Sequence, residues 1–167
     1  MYIDMAVTTQ NSTEYTNRIA TPLVTADAVN DKGKLRTLTF THDQDGVGDA
    51  GSIVRLGKLP AGKVKILGGL SRFYCNWTAS SQTMDIGWEA YTDPNGTAVA
   101  VDVDGLVDGL DVDTVGYFTM EGNTAAGKLL GGNYTFESRD GVIITAKAIG
   151  ALANSDDLAG VITYIVD

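Results

Sequence analysis

Between residues 83 and 91 apolar and polar positions alternate with a period of two. Met84, Ile86, Trp88 and Ala90 fall on one side, Asp85, Gly87, Glu89 and Tyr91 on the other. That spacing predicts a strand with one face in a core and one in solvent, as in antiparallel sheets. Residues 63–77 read as a longer strand, bent near Gly68-Gly69, with Phe73, Cys75 and Trp77 on one face and Arg72, Tyr74 and Asn76 on the other. Residues 35–41 place Leu38 and Phe40 inward, and 52–56 form a further short strand. The last third adds strands at 115–121, 133–138, 142–149 and 161–166. The final one is apolar on both faces, which implies a central place in a sheet or a subunit contact.

Turn chemistry separates these runs. Pro60-Ala61-Gly62 and Asp93-Pro94-Asn95-Gly96 supply tight turns. Asp140-Gly141 predicts a hairpin joining 133–138 to 142–149. Residues 101–114 break the period of two. Leu106, Val107 and Leu110 sit at helical spacing behind Asp104, a good N-cap, and predict one short helix. With Gly105 and Gly109 inside it, that helix depends on packing across one end of the fold. About eight strands with regular turn signals predict an all-β, jelly-roll-like antiparallel β-sandwich over 35–167. Residues 1–34 are more polar and less periodic. They read as an extended N-terminal arm that docks on a neighbouring subunit, or as a loosely packed extension.

Composition narrows the partners. Twelve basic residues against 21 acidic ones give a net charge of -9, and the basic residues are scattered. Phosphate backbones require clustered Lys and Arg, so nucleic acid is not an expected partner. No apolar run reaches the roughly 20 residues of a membrane helix, and no membrane partner is expected. Met1-Tyr2-Ile3-Asp4-Met5 lacks the basic start and apolar run of an export signal, so synthesis in a cytoplasm is expected. The sequons at Asn11, Asn76, Asn95 and Asn133 are then incidental.

Candidate chemistry is sparse. Cys75 is the single cysteine and His42 the single histidine, too few for a zinc site. His42 falls in a loop with no nucleophile marked beside it, so no triad is expected. Residues 42–51 carry an Asp-x-Asp-Gly-x-Gly-Asp run, but an EF-hand needs flanking helices and a closing Glu where this chain has Val54. A solvated turn is the better reading. Asp102, Asp104, Asp108, Asp111 and Asp113 read as caps and a solvated face, not as a cation site. Ala125-Ala126-Gly127-Lys128-Leu129-Leu130-Gly131-Gly132 lacks the order of a phosphate loop. Asp85 and Glu89 beside Trp88 are the one carboxylate pair with an aromatic neighbour, a spacing that an ordinary solvent face also shows. No catalytic, cofactor or metal residue is expected, and the chain does not read as an enzyme.

The run from Gly48 to Leu67, an acidic glycine loop leading through Leu59-Pro60-Ala61-Gly62 into an alternating strand, resembles small virion proteins of tailed bacteriophages. Met84-Asp85-Ile86-Gly87-Trp88 and residues 104–112 are similar too, so the resemblance covers roughly 48–119. The family includes head decoration (cement) proteins and related jelly-roll modules. The resemblance implies a virion structural protein on the capsid exterior, with the major capsid protein as partner. It also implies a homo-oligomer, a trimer first and a dimer second. Alternatives are a tail or neck component and, from another class, a carbohydrate-binding sandwich using Tyr74, Tyr91 or Trp88 as a stacking platform.

Overall fold

The computed structural model describes residues 21–22, 33–77, 81–121 and 133–167. Most of the expected arm, and the glycine-rich link at 125–132, lie outside the described residues. The strands are β1 (Lys34–Asp43), β2 (Ile53–Leu59), β3 (Gly62–Leu67), β4 (Arg72–Cys75), β5 (Thr83–Trp88), β6 (Tyr91–Thr92), β7 (Ala98–Val99), β8 (Asp102–Asp111), β9 (Gly116–Thr119), β10 (Asn133–Ser138), β11 (Val142–Ala148) and β12 (Asp157–Val166). Their pairings are antiparallel.

One sheet runs β2-β11-β5-β8. In the other, β12 is flanked by β1 on one side and by β3 and β4 in succession on the other, with β10 beyond β3 and β9 beyond β4. If β3 with β4, and β9 with β10, each count as one interrupted strand, the described residues wind as a jelly roll. The chain changes sheet at every step except β5 to β8, where the small β6–β7 hairpin intervenes. The bend expected near Gly68 is a 3-10 turn at Gly68–Leu70, and the pairing with β12 slips across it.

Inward positions of both sheets meet in a core that includes Trp77, Phe73, Phe136, Met84, Ile86, Ile144 and Ile162. Burying each such side chain contributes about 1.5–3 kcal/mol. Trp88 is on the inward face as its strand pattern requires. Its ring lies 4.8 Å from Tyr134 and 5.2 Å from Phe136, and its Nε1 donates to Ala100 O at 3.3 Å. Strand β12 takes a central place, one of the two alternatives that its apolar composition implied.

Four expectations are corrected. Residues 104–110 are not helical: they belong to β8, which pairs along β5. Irregularities in that pairing reset the alternation, so Leu106 and Val107 are both buried and the spacing imitates a helix. Gly and Asp are weak helix formers, and the open edge of β5 offers backbone partners that a lone helix lacks. Second, Asp85 is only 7% exposed, because β5 lies between β11 and β8 and the carboxylate takes the N–H of Gly109 from β8. Third, Asp140-Gly141 turns the chain, with Gly141 at φ +88°, but β10 and β11 belong to different sheets and form no hairpin. Fourth, His42 lies in β1 rather than in a loop, and the segment after it is tied down. Gln44 N donates to Asp156 O at 3.0 Å, and Gly48 and Leu152 exchange bonds of 2.9 and 2.8 Å.

Candidate functional site

Alternation in the six-stranded sheet turns one set of side chains away from the core, and register sets them in transverse rows. Thr41, Ala159, Tyr74 and Tyr117 form one row, and Thr39, Val161, Arg72 and Thr119 the next. Leu35, Ile165, Lys65 and Thr135 form a third beyond the 3-10 turn. These three rows carry no acid, in a chain of net charge -9, whereas the rows at either end of the face hold Asp43 with Asp157 and Glu137 with Lys63. The rings of Tyr74 and Tyr117 are 5.4 Å apart and inclined at 58°, and Tyr117 is 75% exposed. Arg72, Tyr74, Tyr117, Ala159 and Val161 line a shallow groove across this face. Tyr and Arg are residue types enriched at the centres of protein interfaces.

The other candidates are drawn into the fold. Asp85 Oδ1 accepts the N–H of Gly109 at 2.9 Å, and Asp85 Oδ2 lies 3.9 Å from Lys147 Nζ. Glu89 instead accepts from Arg55 Nε at 2.5 Å, so the two carboxylates serve different partners. His42 shares a second depression with Arg55 and Glu89, and its Nε2 is 3.2 Å from Gln44 Oε1. Asp49 accepts through its carbonyl from Ser52 Oγ at 2.5 Å, and Asn154 Oδ1 accepts from Gly46 N at 2.8 Å, which holds the acidic loop in place. Among the described residues no group of three or more His, Cys, Asp and Glu gathers to hold a metal. Cys75 is buried, and desolvation pushes its thiol up to about 11.

Along β8, the pKa of Asp102 is raised from its ordinary value, first by burial and then by its bond to Asp104. Tyr134 is also raised, by burial and by the charge of Asp102, and Tyr91 is raised mainly by burial. Of the three proposed stacking rings, Trp88 is 5% exposed and offers no face, and Tyr91 is half-buried against the core. Tyr74 stands on the outer face. Tyr117 was not singled out in the sequence. Its place opposite Tyr74 depends on register, although alternation within 116–119 marks it as outward.

No protein-family model matches the chain, and no curated protein matches it. Among solved structures it is similar to the capsid of Ralstonia phage GP4, with 14% identity over 82% of this chain and 86% of that one, at a TM-score of 0.49. The acidic stable capsid of Helicobacter pylori bacteriophage KHP30 matches at 13% identity over 79% and 87%, with a TM-score of 0.39. The infectious bursal disease virus Gt strain structure matches at 10% identity and a TM-score of 0.45, over 81% of this chain. There the chain spans 33% of the matched protein's length. The neighbours are viral capsid structures, and at these scores no functional argument rests on the likeness.

Proposed function

We propose that this protein is a structural component of a bacteriophage virion, a decoration protein that binds the outer surface of the head. Its action is adhesive: it bridges neighbouring capsomers, so that internal DNA pressure must break more surface before the shell opens. The observation that carries the reading is the set of acid-free rows on the outer face of the six-stranded sheet, with Arg72, Tyr74, Tyr117 and Val161 at their centre. The jelly roll is a fold that capsid proteins use, though lectins and cupins use it as well. The resemblance of residues 48–119 to phage decoration proteins favours the virion. The protein acts as a homo-oligomer, a trimer before a dimer, and residues 1–34 form an arm that reaches beyond the sandwich to the shell.

Purified protein mixed with undecorated heads of its phage should co-sediment with them and raise their melting temperature. Tyr117→Ala with Arg72→Ala should weaken that binding while the protein still melts cooperatively. Deleting residues 1–20 should leave a folded oligomer that binds heads poorly. Full binding by the face variant overturns the docking face, and full binding by the truncated chain overturns the role of the arm.

A second reading has one observation in its favour, the exposed Tyr74–Tyr117 pair, which has the form of a sugar-stacking platform. A specific response on a glycan array, with no binding to heads, would select it.

A further inference from the structure

We propose that copies of this chain associate head to tail, the β1–β2 side of one sandwich against the β8 side of the next. The proposal rests on the oligomeric reading above and names its interface.

Charge is divided along the sequence. Residues 33–77 hold seven Lys and Arg against three Asp, whereas 81–121 hold nine acids and no Lys, Arg or His. The fold sends the edge strands of these two segments, β1 with β2 and β8, to opposite sides, while elsewhere the segments meet, Arg55 with Glu89 and β4 with β9. Strand β2 is one edge of its sheet and β8 the other. Strand β1 closes the same side as β2: the Gly57 Cα lies so close under Leu38 that a Cβ there would meet it at 2.6 Å. Lys34, Arg36 and Lys58 are exposed on the β1–β2 side, and Asp104, Asp111 and Asp113 on the β8 side.

Both sides are also long strand edges. Among the described residues β1 pairs only with β12, and β8 only with β5, each over a ten-residue strand. An edge of that length offers backbone partners to another chain, with charge and bulges setting which chain it accepts. Each side carries exposed apolar residues as well: Ile53 on one, Val101 and Val115 flanking β8 on the other. A twofold contact through the β8 side would set aspartates against aspartates. Joining opposite sides pairs unlike charge and gives a heterologous contact, which closes into a ring when the rotation permits. A cyclic trimer satisfies that geometry and a simple twofold dimer does not.

The test measures mass by light scattering without capsids, so a failure to bind heads leaves it unaffected. Wild-type protein should be a multimer at low salt, with association weakening as salt rises. Lys34→Glu with Arg36→Glu should lower the association constant by about tenfold or more, as should Asp104→Lys with Asp111→Lys. The variant with all four substitutions should regain the wild-type mass, because its two sides are again complementary. If a reversal prevents cooperative melting, Lys34→Gln with Arg36→Gln replaces it and should weaken association. A monomeric wild type overturns the proposal. So does a single-side variant of unchanged mass, or a four-substitution variant that melts cooperatively but stays monomeric.

Discussion

The hydroxyl of Ser71 accepts the backbone N–H of Thr163 at 2.9 Å, where β3 gives way to β4 along the edge of β12. The 3-10 turn removes a strand carbonyl from that position, and a side chain replaces it. Ser71 Oγ in turn donates to Leu67 O at 2.9 Å, and Thr163 Oγ1 donates to Leu70 O at 2.9 Å. Both residues are buried. Ser71→Ala should therefore strand a buried N–H and cost about 1–3 kcal/mol. Denaturant unfolding measures it, and a loss below a few tenths of a kcal/mol would show that the turn repacks.

Gly87 is held by close approach. A Cβ there would overlap Asp102 O and lie 2.5 Å from Val103 C, both backbone atoms. Gly87→Ala should destabilise by at least the roughly 1–3 kcal/mol of an overpacked core. Gly116→Ala is the control, since its nearest atom would be 3.8 Å away. Equal melting temperatures for the two variants would contradict the packing of β8 against β5.

Trp88 anchors the aromatic cluster with Tyr134 and Phe136. Trp88→Ala should cost about 3–5 kcal/mol. Tryptophan emission of the native protein should be that of buried indoles for both Trp77 and Trp88, and a water-exposed spectrum would refute their placement.

Asp102 makes stability depend on pH. Its folded pKa is raised above the ordinary 3.8, chiefly by burial, so the folded protein binds this proton more tightly than the unfolded chain does. The resulting contribution is fully present below 3.8 and is lost as pH rises through the folded value. Asp102→Asn should flatten the melting temperature over that window. It should also bring the alkaline titration of Tyr134 downward, because the Asp102 charge is one cause of that shift. An unchanged pH profile would place Asp102 in free solvent.

How much of this was legible depends on whether period or register carries the information. Phe73, Cys75 and Trp77 announce their face by alternation alone, and the turn near Gly68 is written in consecutive glycines. Strand β8 is different, because Gly109 at φ +62° takes a bulge that the Asp85 carboxylate holds from the neighbouring strand. The bulge sets Val107 and Leu110 out of period with each other, and its anchor lies 24 residues away in sequence; a second irregularity, between the Ile86 and Trp88 pairings, falls beside Leu106. Asp140-Gly141 specifies a turn but not which sheet receives the next strand. The outer face had the same limit: Tyr74 and Tyr117 are outward by period, but neighbours only by pairing.

The central place of β12 has a kinetic consequence. Lys34 pairs with Val166, and β3 and β4 wait for the same strand. A nascent chain halted anywhere before Asp157 holds three strands whose shared partner has not left the ribosome. Contacts of such sequence separation slow folding toward the millisecond-to-second range. Until they form, the inward faces of β1, β3 and β4 are open to solvent, and to other unfinished copies on the same message.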